Sequence, residues 1–226
     1  MSGQPTTGHT AKFRPGAIEA TPDGRMVSAT FKRNVQPVID GLAPLLAGRK
    51  GAALEIGSGT GQHIVAFAKA FPNLHWTPSE PDAVHRKSIN AWRAHESAGT
   101  SPALALDAAA DWASSPGFGS DSLQLIISMN VIHISPIAVL HGIVKGAGQT
   151  LQPGGLLVFY GPFKEGGMHT GDGNAAFDTR LRTDNPDWGV RDTTEITEAA
   201  QQHQLRDHAL IPMPANNRLL VLAKEN

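Results

Sequence analysis

The sequence predicts an α/β fold: a mostly parallel sheet of seven strands, helices on both faces, and a C-terminal antiparallel hairpin. Three observations predict it. Apolar runs of strand length alternate with helical periodicity from Ala52 to Leu151, as crossover connections between parallel strands require. The first run, Ala52–Ile56, enters three glycines at alternate positions, Gly57, Gly59 and Gly61, and then a helical pattern from Gln62 to Phe71. The last two runs, Leu205–Pro212 and Arg218–Lys224, are joined by Pro214-Ala215-Asn216-Asn217, which has the composition of a turn.

Taken in order, residues 1–28 are rich in Gly, Pro, Thr and Ser and read as an irregular lead or lid. From Ala29 to Ala47 the apolar positions Phe31, Val35, Val38, Ile39, Leu42, Leu45 and Leu46 recur at helical spacing. Pro37 inside that pattern predicts a kink, or a helix that begins there. Strands follow at Ala52–Gly57, Leu74–Pro78, Ala103–Asp107, Leu123–Met129 and Leu156–Gly161, with helices at Gln62–Phe71, Asp82–Ser97 and Pro136–Leu151. Pro153-Gly154-Gly155 ends the last of these helices and opens a wholly apolar strand, as a buried central strand requires. Beyond Pro162 the chain turns to Gly, Asn, Asp and Arg, with a short helix at Ala175–Arg182, and it closes with a helix at Thr194–Gln202 before the final hairpin. There are no internal repeats, so residues 29–226 are expected to form one domain, in which 162–192 covers a site.

Composition narrows the function. The chain has 226 residues, a formal charge of -1 and no Lys/Arg block, so the electrostatic footprint for nucleic acid is missing. With no cysteine there is no disulfide, thiolate metal site or cysteine nucleophile. No apolar run approaches the roughly 18 residues of a membrane span, and Met1–Pro15 lacks the apolar core of a secretory signal. A cytoplasmic protein, a monomer or homodimer acting on a small molecule, is expected.

The glycine run carries most of the chemistry. Glycines so spaced let the chain turn sharply and let a ligand meet the backbone directly, while the next helix offers free N–H groups and the positive end of its dipole. Gly-x-Gly-x-Gly is not the Gly-x-Gly-x-x-Gly of dinucleotide sites. Glu55 in the strand end suits a ligand that carries a cation beside a nucleoside, and the reading is a site for S-adenosyl-L-methionine, with S-adenosyl-L-homocysteine as product. In such sheets ligands bind beyond the carboxyl ends of the strands. Those ends supply Gly57, Ser58, Gly59, Thr60, Gly61 and His63 at the first, Glu80 for ribose hydroxyls, Asp107 for the adenine amino group, and Asn130 near the methionine part. Arg33 and Asn34 can fold over the cofactor carboxylate from the first helix.

Arg33-Asn34-x-x-Pro37, Leu54-Glu55 with Gly-Ser-Gly-x-Gly-Gln-His, Trp76-x-Pro78-Ser79, His133-x-Ser135-Pro136, Tyr160-Gly161-Pro162, Phe177-Asp178, Pro186-x-Trp188-Gly189, Arg191-Asp192 and Met213-Pro214-Ala215-Asn216-Asn217 together resemble the methyltransferase-like protein 26 family, also catalogued as family of unknown function 938. The resemblance runs from about residue 30 to the end and implies a Rossmann-like class I methyltransferase fold. It brings no substrate. Glu80 stands where the family pattern leads us to expect Asp, which keeps the carboxylate and lengthens its reach.

Methyl transfer from a sulfonium is an in-line displacement governed by alignment. His133, expected to titrate near neutrality, and Tyr160, the only tyrosine, are the catalytic candidates. Asn174, Asp178, Arg182, Arg191, Asn216 and Asn217 are the acceptor-binding candidates. Arg33, Arg182 and Arg191 suggest an anionic metabolite methylated on O, N or S. The competing readings are a cofactor-binding partner or sensor without activity, and a protein methyltransferase. No metal is expected, because the ten histidines show no His-x-x-x-His pair, and Gly57-Ser58-Gly59 is not a hydrolase elbow.

Overall fold

Each strand of the central sheet sends alternate side chains to opposite faces, and two separate cores result. The computed structural model describes residues 18–225. Its elements are β1 (Ile18–Ala20), β2 (Met26–Ser28), α1 (Phe31–Leu46), β3 (Gly51–Ile56), α2 (Gln62–Ala70), β4 (Leu74–Ser79), α3 (Ala83–His95), β5 (Leu123–Met129), α4 (Ile137–Thr150), β6 (Leu151–Pro162), β7 (Lys164–Glu165), β8 (Met168–His169), α5 (Asp172–Asp184), α6 (Thr193–Gln201), β9 (Leu205–Met213) and β10 (Asn217–Lys224). The sheet order is β4-β3-β5-β6-β10-β9. The first four strands run parallel, and β10 is antiparallel to both β6 and β9. On one face Leu54, Ile126 and Leu157 pack with Leu140 and Ile143 of α4 and Ile196 of α6. On the other, Ala53, Ile127 and Val158 meet Leu42 of α1, Phe67 of α2 and Ile89 of α3.

Five expectations are corrected. The sheet has six strands, not seven, because Ala103–Asp107 reduces to a single parallel bridge between Leu104 and Ser79. Prolines on both sides explain this: neither Pro78 of β4 nor Pro102 carries an N–H. What survives is Leu104 N–H to the Pro78 carbonyl (2.9 Å), Glu80 N–H to the Leu104 carbonyl (3.0 Å) and Ser101 N–H to the Trp76 carbonyl (2.9 Å). Second, Pro153-Gly154-Gly155 lies inside β6 as a looped-out segment, since Leu151 pairs with Leu123 and pairing resumes at Leu156 with Leu125.

Third, α1 runs without a break through Pro37 and Pro44, held by the buried side chains of Val38, Leu42 and Leu46 rather than by propensity. Fourth, part of the irregular lead is ordered as an antiparallel pair, β1 with β2; the part before Ile18 lies outside the described residues. The short helix after Pro162 is also longer than expected, Asp172–Asp184, and follows the small hairpin β7–β8. Among the described residues no helix is long and apolar enough to cross a membrane.

Candidate cofactor and acceptor site

Three positive φ angles build the turn after β3: +77° at Gly57, +54° at Gly59 and +92° at Gly61. Their reasons differ. A methyl on Gly57 would collide with Val131 Cγ2, and one on Gly61 would stand 2.6 Å from Ile89 Cα, whereas one on Gly59 would meet nothing within 4 Å. The outer two glycines serve packing, and the middle one faces open space where a ligand can reach the backbone. Backbone bonds tie the turn to the end of β4: Gly57 N–H and Ser58 N–H both donate to the Ser79 carbonyl, at 3.0 and 2.9 Å.

Two carboxylates border this turn. Glu80, only 4% exposed, accepts from Gly59 N–H at 3.0 Å and from Asp82 N–H at 3.3 Å. Its Oε1 lies 3.8 Å from His85 Nδ1, and Glu80 holds that imidazole above its usual pKa. Glu55 is 2% exposed, and its Oε2 has no hydrogen-bond partner. Burial pushes its pKa up to about 7, against a hydrogen bond from Ser58 and with help from Glu80. His63, at the start of α2, stacks edge-on with Phe31 of α1 (5.0 Å), and its buried Nε2 is also unpartnered. Burial takes its pKa down to about 4. Thr60 is buried, Asn34 is half-buried, and Arg33 is exposed on the first turns of α1. Asp107 is exposed beyond the Leu104 bridge and accepts from Ala109 N–H at 2.9 Å.

A second group gathers at the ends of β5, β6 and β10. Asn130, at φ +56°, ends β5 and donates its N–H to the Tyr160 carbonyl at 2.8 Å. A methyl on Gly161 would come within 3.2 Å of His133 Cε1 and 3.3 Å of Asn130 Oδ1, so both side chains converge there. His133 is 4% exposed and meets Phe177 edge-on at 5.6 Å. Burial, reinforced by Arg191, pushes its pKa down to about 4. The expected titration near neutrality is thereby corrected, since a desolvated imidazole beside a guanidinium stays neutral. Tyr160 is 2% exposed, its hydroxyl accepts from Asn217 Nδ2 at 3.1 Å, and burial raises its pKa.

The acceptor candidates divide into internal ties and exposed groups. Asn174 donates to Thr170 Oγ1 (2.9 Å) and to the Asn216 carbonyl (3.1 Å), pinning α5 to the β9–β10 turn. Asp178 gathers Lys164 (3.0 Å), His169 (3.3 Å), Arg182 (3.1 Å) and Val190 N–H (2.8 Å). Burial works to raise its pKa, but Lys164, Val190 N–H and Arg182 outweigh that and hold it low. Arg191 commits its Nε and Nη2 donors to the carbonyls of Ile132 (3.1 Å), Ser135 (2.8 Å) and Asp187 (2.9 Å). Sequence reasoning missed Lys164 and His169, which join Asp178 from 14 and 9 residues away without forming a motif with it.

The family model described as protein of unknown function (DUF938) matches residues 25–224. The chain belongs to this family. As a DUF938 protein it has the class I methyltransferase fold: solved structures at 11–16% identity superpose with TM-scores of 0.64–0.69. Mitomycin 7-O-methyltransferase MmcR matches at 16% identity, with a TM-score of 0.69, over 87% of this chain and 55% of its own. Human N-acetylserotonin methyltransferase, solved with S-adenosylmethionine, matches at 13% and 0.68 over 87% and 53%. The geranyl diphosphate C-methyltransferase of Streptomyces coelicolor A3(2), solved with S-adenosylhomocysteine, matches at 11% and 0.64 over 86% and 80%. The DUF938 chain thus spans about half the length of the first two.

Proposed function

We propose that this chain is an S-adenosylmethionine-dependent methyltransferase acting on a small molecule through O, N or S. The observation that carries the reading is the open backbone at Gly59, flanked by the buried Glu80 and by the unpartnered Oε2 of Glu55. A carboxylate oxygen left without a partner in a buried position is costly, and a cation brought by a ligand relieves that cost. The donor set fits the cofactor. Glu55 would face its ammonium, Glu80 its ribose hydroxyls, Asp107 its adenine, and Arg33 with Asn34 its carboxylate. When bound, it supplies an electrophilic sulfonium methyl.

The chain's own residues then align and desolvate. Neutral His133 can orient an acceptor as a hydrogen-bond partner, but with a pKa of about 4 it is a weak general base at neutral pH. Tyr160 receives its hydrogen bond from Asn217 and so keeps its own hydroxyl proton to donate. Residues 162–192 form the acceptor cover in this reading, and Asp178 ties Lys164, His169, Arg182 and Val190 of that segment together. The anionic acceptor suggested by Arg33, Arg182 and Arg191 loses two of its supports, because Arg182 pairs with Asp178 and Arg191 with three carbonyls. We therefore propose a small-molecule acceptor without assigning it a charge.

Calorimetric titration with S-adenosylmethionine and S-adenosylhomocysteine tests the reading. Micromolar binding of both, abolished by Glu80→Ala, is expected. A folded protein that binds neither overturns it.

A further inference from the structure

We propose that Ser88 of α3 is a positioning residue for the cofactor turn, and that through Ser88 and Gln62 the strand β2 is coupled to occupancy of that turn. This rests on the cofactor reading above. Ser88 is fully buried. Its hydroxyl donates to the Thr60 carbonyl at 2.8 Å and accepts from Met26 N–H at 2.8 Å. A hydroxyl has one proton, and here the turn takes it, so Ser88 holds β2 as an acceptor through a lone pair.

A second tie runs in parallel. Gln62 Oε1 accepts from Ser28 N–H at 2.6 Å and from Thr60 Oγ1 at 3.4 Å, and both Gln62 and Thr60 are buried. Met26 and Ser28 alternate along β2, so both N–H groups point the same way, away from β1, toward Ser88 of α3 and Gln62 of α2. The same edge of β2 meets α3 a second time: Trp92 Nε1 donates to the Met26 carbonyl at 2.8 Å, and the Arg25 guanidinium lies 4.6 Å from the centre of the Trp92 ring.

Ile89, next to Ser88, is the residue against which Gly61 packs. Thr60 and Gly61 therefore cannot shift without straining the Ser88 bond, and Ser88 cannot move without releasing Met26. A ligand that orders the turn must then order β2, and β2 must favour the ligand by the same factor.

Amide exchange by NMR reads the coupling. In the wild-type protein, saturating S-adenosylhomocysteine is expected to slow exchange at Met26 and Ser28 about tenfold or more. Ser88→Ala should weaken the calorimetric Kd for S-adenosylhomocysteine about tenfold and remove the ligand-dependent protection at Met26. Trp92→Phe, which loosens β2 from α3 but leaves Thr60 held by Ser88, should weaken the Kd less than Ser88→Ala does while lowering the Tm. A merely structural Ser88 would lower the Tm and leave the Kd alone. That result, or unchanged exchange at Met26 and Ser28 in a wild-type protein that binds the ligand, overturns the proposal by itself. A wild-type protein that binds no S-adenosylhomocysteine overturns the cofactor reading, and this proposal with it. Should Ser88→Ala fail to fold, the wild-type exchange result decides.

Discussion

Gly61 packs against the backbone of Ile89 so closely that a single methyl on Gly61 would stand 2.6 Å from Ile89 Cα. Two residues earlier, Gly59 borders open space. The glycines of one motif therefore answer to different demands, and substitution separates them. Gly61→Ala should destabilise the fold by several kcal/mol, because strain at φ +92° adds to a backbone clash that cannot relax. Gly59→Ala pays only the left-handed penalty of about 1–2 kcal/mol, yet it should abolish S-adenosylhomocysteine binding. Thermal melts with calorimetry on both variants check this; a Gly59→Ala protein that binds normally places the ligand elsewhere.

Glu55 gives the proposed cofactor site a pH dependence of definite sign. Its folded pKa of about 7 lies above the ordinary value of 4.5, so the folded state holds a proton that the unfolded state has lost. Stability is greatest below 4.5 on this account, and falls by about 3 kcal/mol as pH rises from there through 7. Glu55→Gln should remove that slope from a set of urea titrations across this range. A bound ammonium favours the ionised carboxylate, so S-adenosylmethionine binding at pH 6 should release protons. Calorimetry in two buffers of different ionisation enthalpy would detect them.

His133 carries the opposite sign. Its folded pKa of about 4 lies below the ordinary 6.5, so its contribution is complete above 6.5 and is lost as pH falls toward 4. The size is again about 3 kcal/mol. Imidazole NMR shifts should show His133 neutral throughout pH 5–8. A midpoint near 6.5 would restore it as a general base.

Arg191→Met should cost about 2–4 kcal/mol. It strips partners from three carbonyls around a residue that is only 8% exposed. Arg191→Lys should recover little, because one ammonium cannot span the same fork of acceptors. Chemical denaturation measures both, and a loss below about 0.5 kcal/mol would return Arg191 to the acceptor site.

Much of the sheet was legible in the chain. The runs at 52–56, 74–78 and 123–129 reappear as β3, β4 and β5 within a residue or so, because a strand buried on both faces must be apolar throughout. The run at 103–107 failed for a reason outside itself: its neighbour β4 presents Pro78, which has no N–H to give. The small hairpin of β1 and β2 was invisible because its anchors, Ser88 and Gln62, stand 62 and 34 residues away in the chain.

The sequence by itself determined the strand–glycine–helix turn, the mostly parallel sheet and the placing of Glu55 and Glu80 beside the turn. These follow from local backbone freedom and from periodicities of two and 3.6, which neighbouring residues encode together. Only the tertiary structure decided the state of the ionisable groups. His133 reads in the chain as a histidine poised near neutrality, and burial beside Arg191 makes it a neutral one. Arg191 reads as an anion anchor, and the carbonyls of Ile132 and Ser135, 59 and 56 residues away, take its donors instead. Charge and hydrogen-bonding capacity respond to desolvation and to partners brought in from remote segments, and those exist only once the chain has folded.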